Sequence, residues 1–352
     1  MDLLDFDFVL PKSLIGQTAI EPRDSCRLLM YQRNSKQISH HVFGDLTRIL
    51  DDNTVLVLND TKVFPARLFG VKNTGGKTEI LLLKQLSQNC YSAIGKGKNK
   101  VGTKIVFSPD LSGEITKNNE GEVEITFNQS GFALIEKIDQ LGKTPLPPYI
   151  QSVVKEKDLR IQYQTIYAKE KGSAAAPTAG LHFTDKLLEK LKDKGVQIEK
   201  VTLHVGLGTF KPVTEEQVIS KTLHTECFIV SDETANNLNE AKKLGKKIIA
   251  VGTTSCRLLE TLSNQEGIIT PGQGETNIFI QPGYRFKFVD GLITNFHLPS
   301  TSLLMLVSAL TLSPNTSEEL KKFSDSPIGM VYQEAIKEKY KFFSFGDAML
   351  VL

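Results

Sequence analysis

Cysteine is scarce in this chain. Cys26, Cys90, Cys227 and Cys256 stand far apart among 352 residues and form no C-x-x-C pair. That excludes a disulfide framework and fits a reducing compartment. No spacing among the four cysteines and six histidines makes a credible metal set. An excess of one charge is also missing, since 42 Lys plus Arg against 40 Asp plus Glu leave a formal +2. This balance argues against indiscriminate coating of nucleic acid and leaves room for a local basic patch. The most apolar run, Leu303 to Leu310, is far below the ~20 residues that cross a bilayer. It reads as a buried helix capped by Ser300 or Ser302. The opening Met1-Asp2-Leu3-Leu4-Asp5 is acidic and lacks the basic start and apolar core of a signal peptide. Internal repeats and low-complexity tracts are absent. The expectation is a cytoplasmic protein with no membrane partner.

What is present suggests two domains, because 352 residues exceed the usual size of a single core. Between Ala66 and Phe127 six short β-rich runs alternate with turn signals such as Asn73-Thr74-Gly75-Gly76 and Ser108-Pro109-Asp110. They are Ala66–Val71, Thr78–Leu86, Cys90–Ile94, Gly102–Phe107, Gly113–Thr116 and Glu122–Phe127, a spacing that suggests a small antiparallel barrel. A helix from Phe132 to Leu141, stopped at Gly142, and a stiff Pro145-Leu146-Pro147-Pro148 linker lead out of it. The remainder alternates strand and helix, which points to an α/β layer with sites at the carboxyl ends of strands. Strands are expected at Gln197–His204, Lys246–Val251 and Leu292–Phe296, and helices near Asp232–Leu244 and Thr254–Leu262. An apolar stripe at helical spacing runs from Ile328 to Tyr340. The expected architecture is a mixed-sheet α/β main domain, residues 1–62 and 150–352, interrupted by an inserted small antiparallel β-barrel domain, residues 63–149.

Several segments carry chemistry. Ser173-Ala174-Ala175-Ala176-Pro177-Thr178-Ala179-Gly180-Leu181-His182 is built of small, turn-forming residues that deliver His182 to a helix opened by Thr184. Small residues allow close backbone approach and a helix start offers free N–H groups, so this is a site candidate that names no reaction. Val251-Gly252-Thr253-Thr254-Ser255 passes from strand to helix; it suits a phosphate or carboxylate, or serves as a plain N-cap. It is not a Walker A loop. Arg257 can reach an anion or pair with Glu260. Val205-Gly206-Leu207-Gly208 lacks the third glycine of a dinucleotide fingerprint, so only close ligand approach is retained. His204 precedes it at a strand end. His224-Thr225-Glu226 lacks the P-C-x-x-C partner of a zinc deaminase and reads as a proton-transfer pair or a buried structural pair. Asn295-Phe296-His297 ends another strand. Phe279, Tyr284 and Phe296 can stack on a purine or fill the core. Lys96, Lys98, Lys100 and Lys104 make a basic hairpin tip, either solvated or touching RNA. Asp60, Lys62 and Arg67 lie where the barrel would be inserted, and a cleft between domains is a favoured ligand location.

These blocks occur in a definite order, from Asp5-Phe6-Asp7 and Asn59-Asp60-Thr61-Lys62-Val63-Phe64-Pro65-Ala66-Arg67 through Ala175 to His182, Thr202-Leu203-His204, His224-Thr225-Glu226, Gly252-Thr253-Thr254 and Asn277-Ile278-Phe279 to Asn295-Phe296-His297 and Phe345-Gly346-Asp347. In that order they resemble the S-adenosylmethionine:tRNA ribosyltransferase-isomerase family of the queuosine pathway over essentially the whole chain, with no motif of the family missing. The resemblance implies the same two-domain design. It also implies a transferase that uses S-adenosylmethionine as a ribosyl donor and co-substrate, with no metal and no other cofactor. The implied acceptor is 7-aminomethyl-7-deazaguanine at the wobble position, in the anticodon stem-loop of a tRNA. The products are epoxyqueuosine-tRNA, adenine and methionine. Acid and base groups tuned near neutrality are then needed: His182 and His204 first, supported by His224 and Glu226, with Asp347 behind them. The substrate-binding set is Asp60, Lys62, Arg67, Thr178, Gly180, Gly206, Gly208, Gly252, Thr253, Thr254, Arg257, Tyr284, Asn295 and His297. A monomer is expected. The competing readings are a methyltransferase using the same donor and a non-catalytic tRNA-binding protein gripping RNA through the lysine hairpin.

Overall fold

The strand Thr54–Asn59 is buried at every residue, as a parallel strand covered on both faces should be. Its side chains alternate between two cores: Val55 and Val57 face one apolar cluster, Leu56 and Leu58 the other. The computed structural model describes residues 3–97, 99–119, 122–151, 154–206, 213–313 and 322–352. Within them Thr54–Asn59 is flanked in parallel by Gln197–Leu203 and Lys247–Val251, and Gly291–Asn295 continues the parallel run. The antiparallel strands Thr222–Val230 and Gly272–Ile278 extend one edge. At the other edge Ala348–Val351 runs antiparallel to Gly291–Asn295 but parallel to Arg27–Gln32, which pairs with Gln37–Val42. The result is a mixed nine-stranded sheet.

Helices cover it where their apolar faces predict. In Asp185–Asp193 the Thr184 hydroxyl accepts from the Leu187 N–H, and Leu187 and Leu191 are buried; Gly195, at φ +89°, ends the segment. The apolar run forms the buried helix Ser302–Leu312, but Thr301 caps it rather than Ser300 or Ser302, accepting from the Leu304 N–H at 3.3 Å.

All six expected β-runs of the middle region form. Arg67–Lys72, Lys77–Ser87, Cys90–Gly95, Lys104–Ser108, Leu111–Asn119 and Glu122–Phe127 close into a barrel, every pair antiparallel. Leu68, Ile80, Leu82, Ala93, Ile115 and Ile125 fill it, and the helix Gly131–Leu141 packs Leu134 and Ile138 against that core. Gly142 follows because a Cβ there would lie 1.9 Å from the Pro65 carbonyl oxygen. A short parallel pair, Thr61–Val63 with Glu170–Ser173, sits where the chain leaves for the barrel and where it returns. Lys84 of the barrel reaches Glu275 at the sheet edge, 2.7 Å away.

Candidate active site

The parallel strands end together at Asn59, Leu203, Val251 and Asn295. Cavities open beyond these carboxyl ends, the usual ligand position in an α/β sheet. The first two ends are tied by side chains. Asn59 donates to the Leu203 carbonyl at 3.0 Å and accepts from the Leu203 N–H at 3.1 Å. Asp60 accepts from the Thr202 hydroxyl at 2.6 Å, and the Thr61 hydroxyl meets His204 Nδ1 at 2.8 Å. Asn59-Asp60-Thr61 thus braces Thr202-Leu203-His204 residue by residue. His204 lines a cleft of about 670 Å³ between sheet and barrel, shared with Gly206, His224 and Glu226 on one side and Leu83, Lys84 and Ser92 on the other. Burial holds the His204 pKa below its ordinary value, although Asp60 and Glu170 pull it back up.

A second pocket, about 130 Å³, opens at the next two strand ends and is lined by Thr178, Gly252, Thr253, Thr254, Asn295 and His297. Gly252 adopts φ +86°, a conformation that favours glycine, at the entry to the helix Gly252–Leu262. Thr254, which lines this pocket, has its Oγ1 buried without a hydrogen-bond partner among the described residues, and buried polar groups need partners. Tyr149 stacks on Phe343 with ring centroids 4.4 Å apart, and both line the pocket. Val205 lines this pocket and the large cleft, so the two adjoin.

Comparison with known proteins decides the family. Residues 3–351 match the family described as queuosine biosynthesis protein. A protein of Clostridioides difficile named S-adenosylmethionine:tRNA ribosyltransferase-isomerase is 49% identical, with 100% of both chains covered, and one of the same name from Carboxydothermus hydrogenoformans is 46% identical, again over 100% of both. The chain belongs to this family. The crystal structure of the S-adenosylmethionine tRNA ribosyltransferase of Thermotoga maritima is 34% identical, with a TM-score of 0.53, covering 99% of this chain and 100% of that one.

Within this family member eleven of the expected site residues line one of three cavities. His204, Gly206, His224 and Glu226 come together in the large cleft; Thr178, Gly252, Thr253, Thr254, Asn295 and His297 come together in the adjoining pocket. Lys62 lines a third cavity of about 520 Å³ with Arg160 and Lys171. Gly208 and Lys98 lie outside the described residues.

The others are given different tasks. His182 is buried with both ring nitrogens engaged, Nδ1 at 3.2 Å from Cys26 Sγ and Nε2 at 3.1 Å from Asn295 Nδ2. The Asn295 amide is oriented by the Thr178 hydroxyl on its oxygen and the Phe343 carbonyl on its nitrogen, so it donates to Nε2. Burial pushes the His182 pKa down to about 4. This imidazole therefore braces Asn295, which lines the second pocket, with both ring nitrogens engaged. Asp347, expected as an acid, accepts from the Arg27 and Lys341 N–H groups at 2.8 and 2.7 Å and ties the last strand to the first. Asp60 is spent on Thr202, and burial raises its pKa. Arg67 pairs with Glu79 and holds the Leu146 carbonyl at 2.8 Å. Gly180 makes room for Tyr167, whose hydroxyl lies 2.0 Å from where a Cβ would stand. Tyr284 donates to Glu260 at 3.0 Å, and Glu260 also accepts from the Lys287, Phe288 and Val289 N–H groups. Arg257 consequently pairs with Glu226 rather than Glu260. His224 is exposed on the cleft side and bonds no carboxylate among the described residues, whereas Glu226 is buried. Phe279 and Phe296 belong to the core.

Sequence reading passed over Thr61 and Gly172, which hold His204, and Lys171, which lines both the large cleft and the third cavity. The Asn-Asp-Thr run closing a buried strand was the available signal for Thr61, since short polar side chains there must find partners.

Proposed function

We propose that this chain is an S-adenosylmethionine:tRNA ribosyltransferase-isomerase. It moves the ribosyl group of S-adenosylmethionine onto the aminomethyl group of 7-aminomethyl-7-deazaguanine at the wobble position. Adenine and methionine leave, and epoxyqueuosine remains in the tRNA. Full-length family membership supports the activity. The observation that carries it to this site is the junction at Val205 of a large imidazole-bearing cleft with a smaller hydroxyl-rich pocket. Ligand sites usually enclose about 300–1,000 Å³, which the cleft satisfies. On this reading the reacting centre lies in the cleft beside His204 and His224, and one end of the donor enters the pocket of Thr253 and Thr254.

The sulfonium acidifies the neighbouring C5′–H of the donor, so a positioned base removes that proton. Adenine departs, the amine adds, and methionine leaves as the carbocycle and epoxide close. S-adenosylmethionine is a co-substrate in this scheme, not a resident cofactor. The anticodon stem-loop enters between barrel and sheet, where Lys62 and Lys171 stand opposite each other on paired strands. Their charges suit consecutive phosphates. The enzyme acts as a cytoplasmic monomer.

The test is incubation of the purified protein with precursor tRNA and donor labelled separately in ribose and methyl group, followed by mass analysis. Ribose label in tRNA, methyl label in methionine and free adenine are expected. Methyl label in tRNA with S-adenosylhomocysteine would make the protein a methyltransferase, and donor left unchanged would leave an RNA-binding protein.

A further inference from the structure

The Thr61 side chain is fully buried, and His204 Nδ1 at 2.8 Å is its hydrogen-bond partner among the described residues. A hydroxyl carries one hydrogen, which needs an acceptor. Were Nδ1 protonated, the Thr61 oxygen would accept, and its own hydrogen would be left with no acceptor among the described residues. Such an orphaned donor is strongly disfavoured. Thr61 therefore donates to Nδ1. A neutral imidazole whose Nδ1 accepts must carry its hydrogen on Nε2.

The geometry holds the ring in this state from several directions. Asn59 Oδ1 accepts from the Thr61 N–H at 3.2 Å while the same side chain clamps Leu203, so one residue fixes both ends of the Thr61–His204 pair. The His204 N–H donates to the Cys227 carbonyl at 2.9 Å. Gly172, at φ +153°, underlies the ring; a Cβ there would lie 2.8 Å from Cε1 and 2.9 Å from each nitrogen. Nε2 bonds no described residue, and the His204 ring lines the cleft.

We infer that Thr61 is a positioning residue that locks His204 as its Nε2–H tautomer, so that His204 offers the cleft a hydrogen-bond donor and not a proton-abstracting base. Such a donor stabilises negative charge developing on a substrate oxygen or nitrogen without giving up its proton. Removing the C5′ proton then falls to another group, and His224 is the second imidazole lining the same cleft. This inference rests on the reading of the cleft as the reacting site.

Long-range ¹H–¹⁵N correlation on the full-length, histidine-labelled protein reads the tautomer without any substrate. At pH 7.5 the His204 signals, assigned by their loss in His204→Gln, should show an unprotonated Nδ1 and a protonated Nε2. In the kinetic arm, His204→Ala should lose about 10²–10³-fold in kcat/KM, the usual loss of one charge-stabilising donor. His204→Gln, whose amide still donates, should keep at least about a tenth of wild-type turnover, which a lost base would not allow. Thr61→Val should shift the population toward Nδ1–H and cut turnover, and Thr61→Ser should restore both. A protonated Nδ1 in the wild type, or a His204→Gln variant as inactive as His204→Ala, overturns the inference and leaves the cleft reading standing. Wild-type turnover by His204→Ala overturns the cleft reading itself.

Discussion

The ion pair beneath the large cleft offers a sharp test of how this site is supported. Arg257, on the helix Gly252–Leu262, meets Glu226, on the strand Thr222–Val230, with side-chain exposures of only 5% and 4%. Glu226 also accepts from the Gly206 N–H at 3.3 Å, which links the pair to the backbone that lines the cleft. Replacing Arg257 by Met would bury the carboxylate without its guanidinium, and breaking a buried pair from one side costs about 3–5 kcal/mol. Replacing both partners, as Arg257→Met with Glu226→Leu, removes the carboxylate left without its guanidinium and should return stability to within about 1 kcal/mol of wild type. The chain holds no tryptophan, so guanidinium unfolding is best followed by far-UV circular dichroism. If the barrel melts separately, the shift should appear in the α/β transition alone, because both residues belong to that layer. The double variant should nevertheless turn over slowly, since the Gly206 amide has lost its carboxylate anchor. A single-variant loss below about 1 kcal/mol, or a double variant no more stable than Arg257→Met, would refute the idea that burial of the pair sets its energetics.

His182 and His297 are held neutral by burial, with pKa values lowered to about 4 and about 3. The unfolded chain binds their protons near pH 6.5, so stability should be full above that pH and fall as acid is added. Each ring contributes up to ~1.4 kcal/mol per pH unit until its folded pKa is reached. A His182→Gln variant should show a shallower loss between pH 6 and 4 in urea titrations; an unchanged slope would mean the ring is not buried in its neutral form. Gly180→Ala would set a Cβ 2.0 Å from the Tyr167 hydroxyl and should cost about 1–3 kcal/mol by overpacking, measured by the unfolding midpoint. Lys62→Ala should weaken tRNA binding and reduce the slope of log K against log salt by about 1, as expected for one lost phosphate contact. An unchanged slope in a filter-binding titration would remove Lys62 from the RNA path.

The barrel was legible because each of its strands is bounded by local turn chemistry, and the helices because their caps and apolar faces are local too. The first two strands, Arg27–Gln32 and Gln37–Val42, were not, because they complete a sheet edge through Ala348–Val351, more than 300 positions away in the chain. The site divides along the same line. Gly252 and its threonines were readable, since a strand-to-helix turn announces itself within five residues. Whether an imidazole is free to act was not readable, because that depends on partners brought in by the fold. His182 and His204 look alike as histidines beside small residues. One has both nitrogens closed by Cys26 and Asn295, 156 and 113 positions away. The other has one nitrogen closed by Thr61, 143 positions away, and one with no partner among the described residues, on a ring that lines the cleft. The direction of a single hydrogen bond then separates a donor from a base. Motif order thus gathers the candidate residues, while the distribution of protons among them is a property of tertiary packing alone.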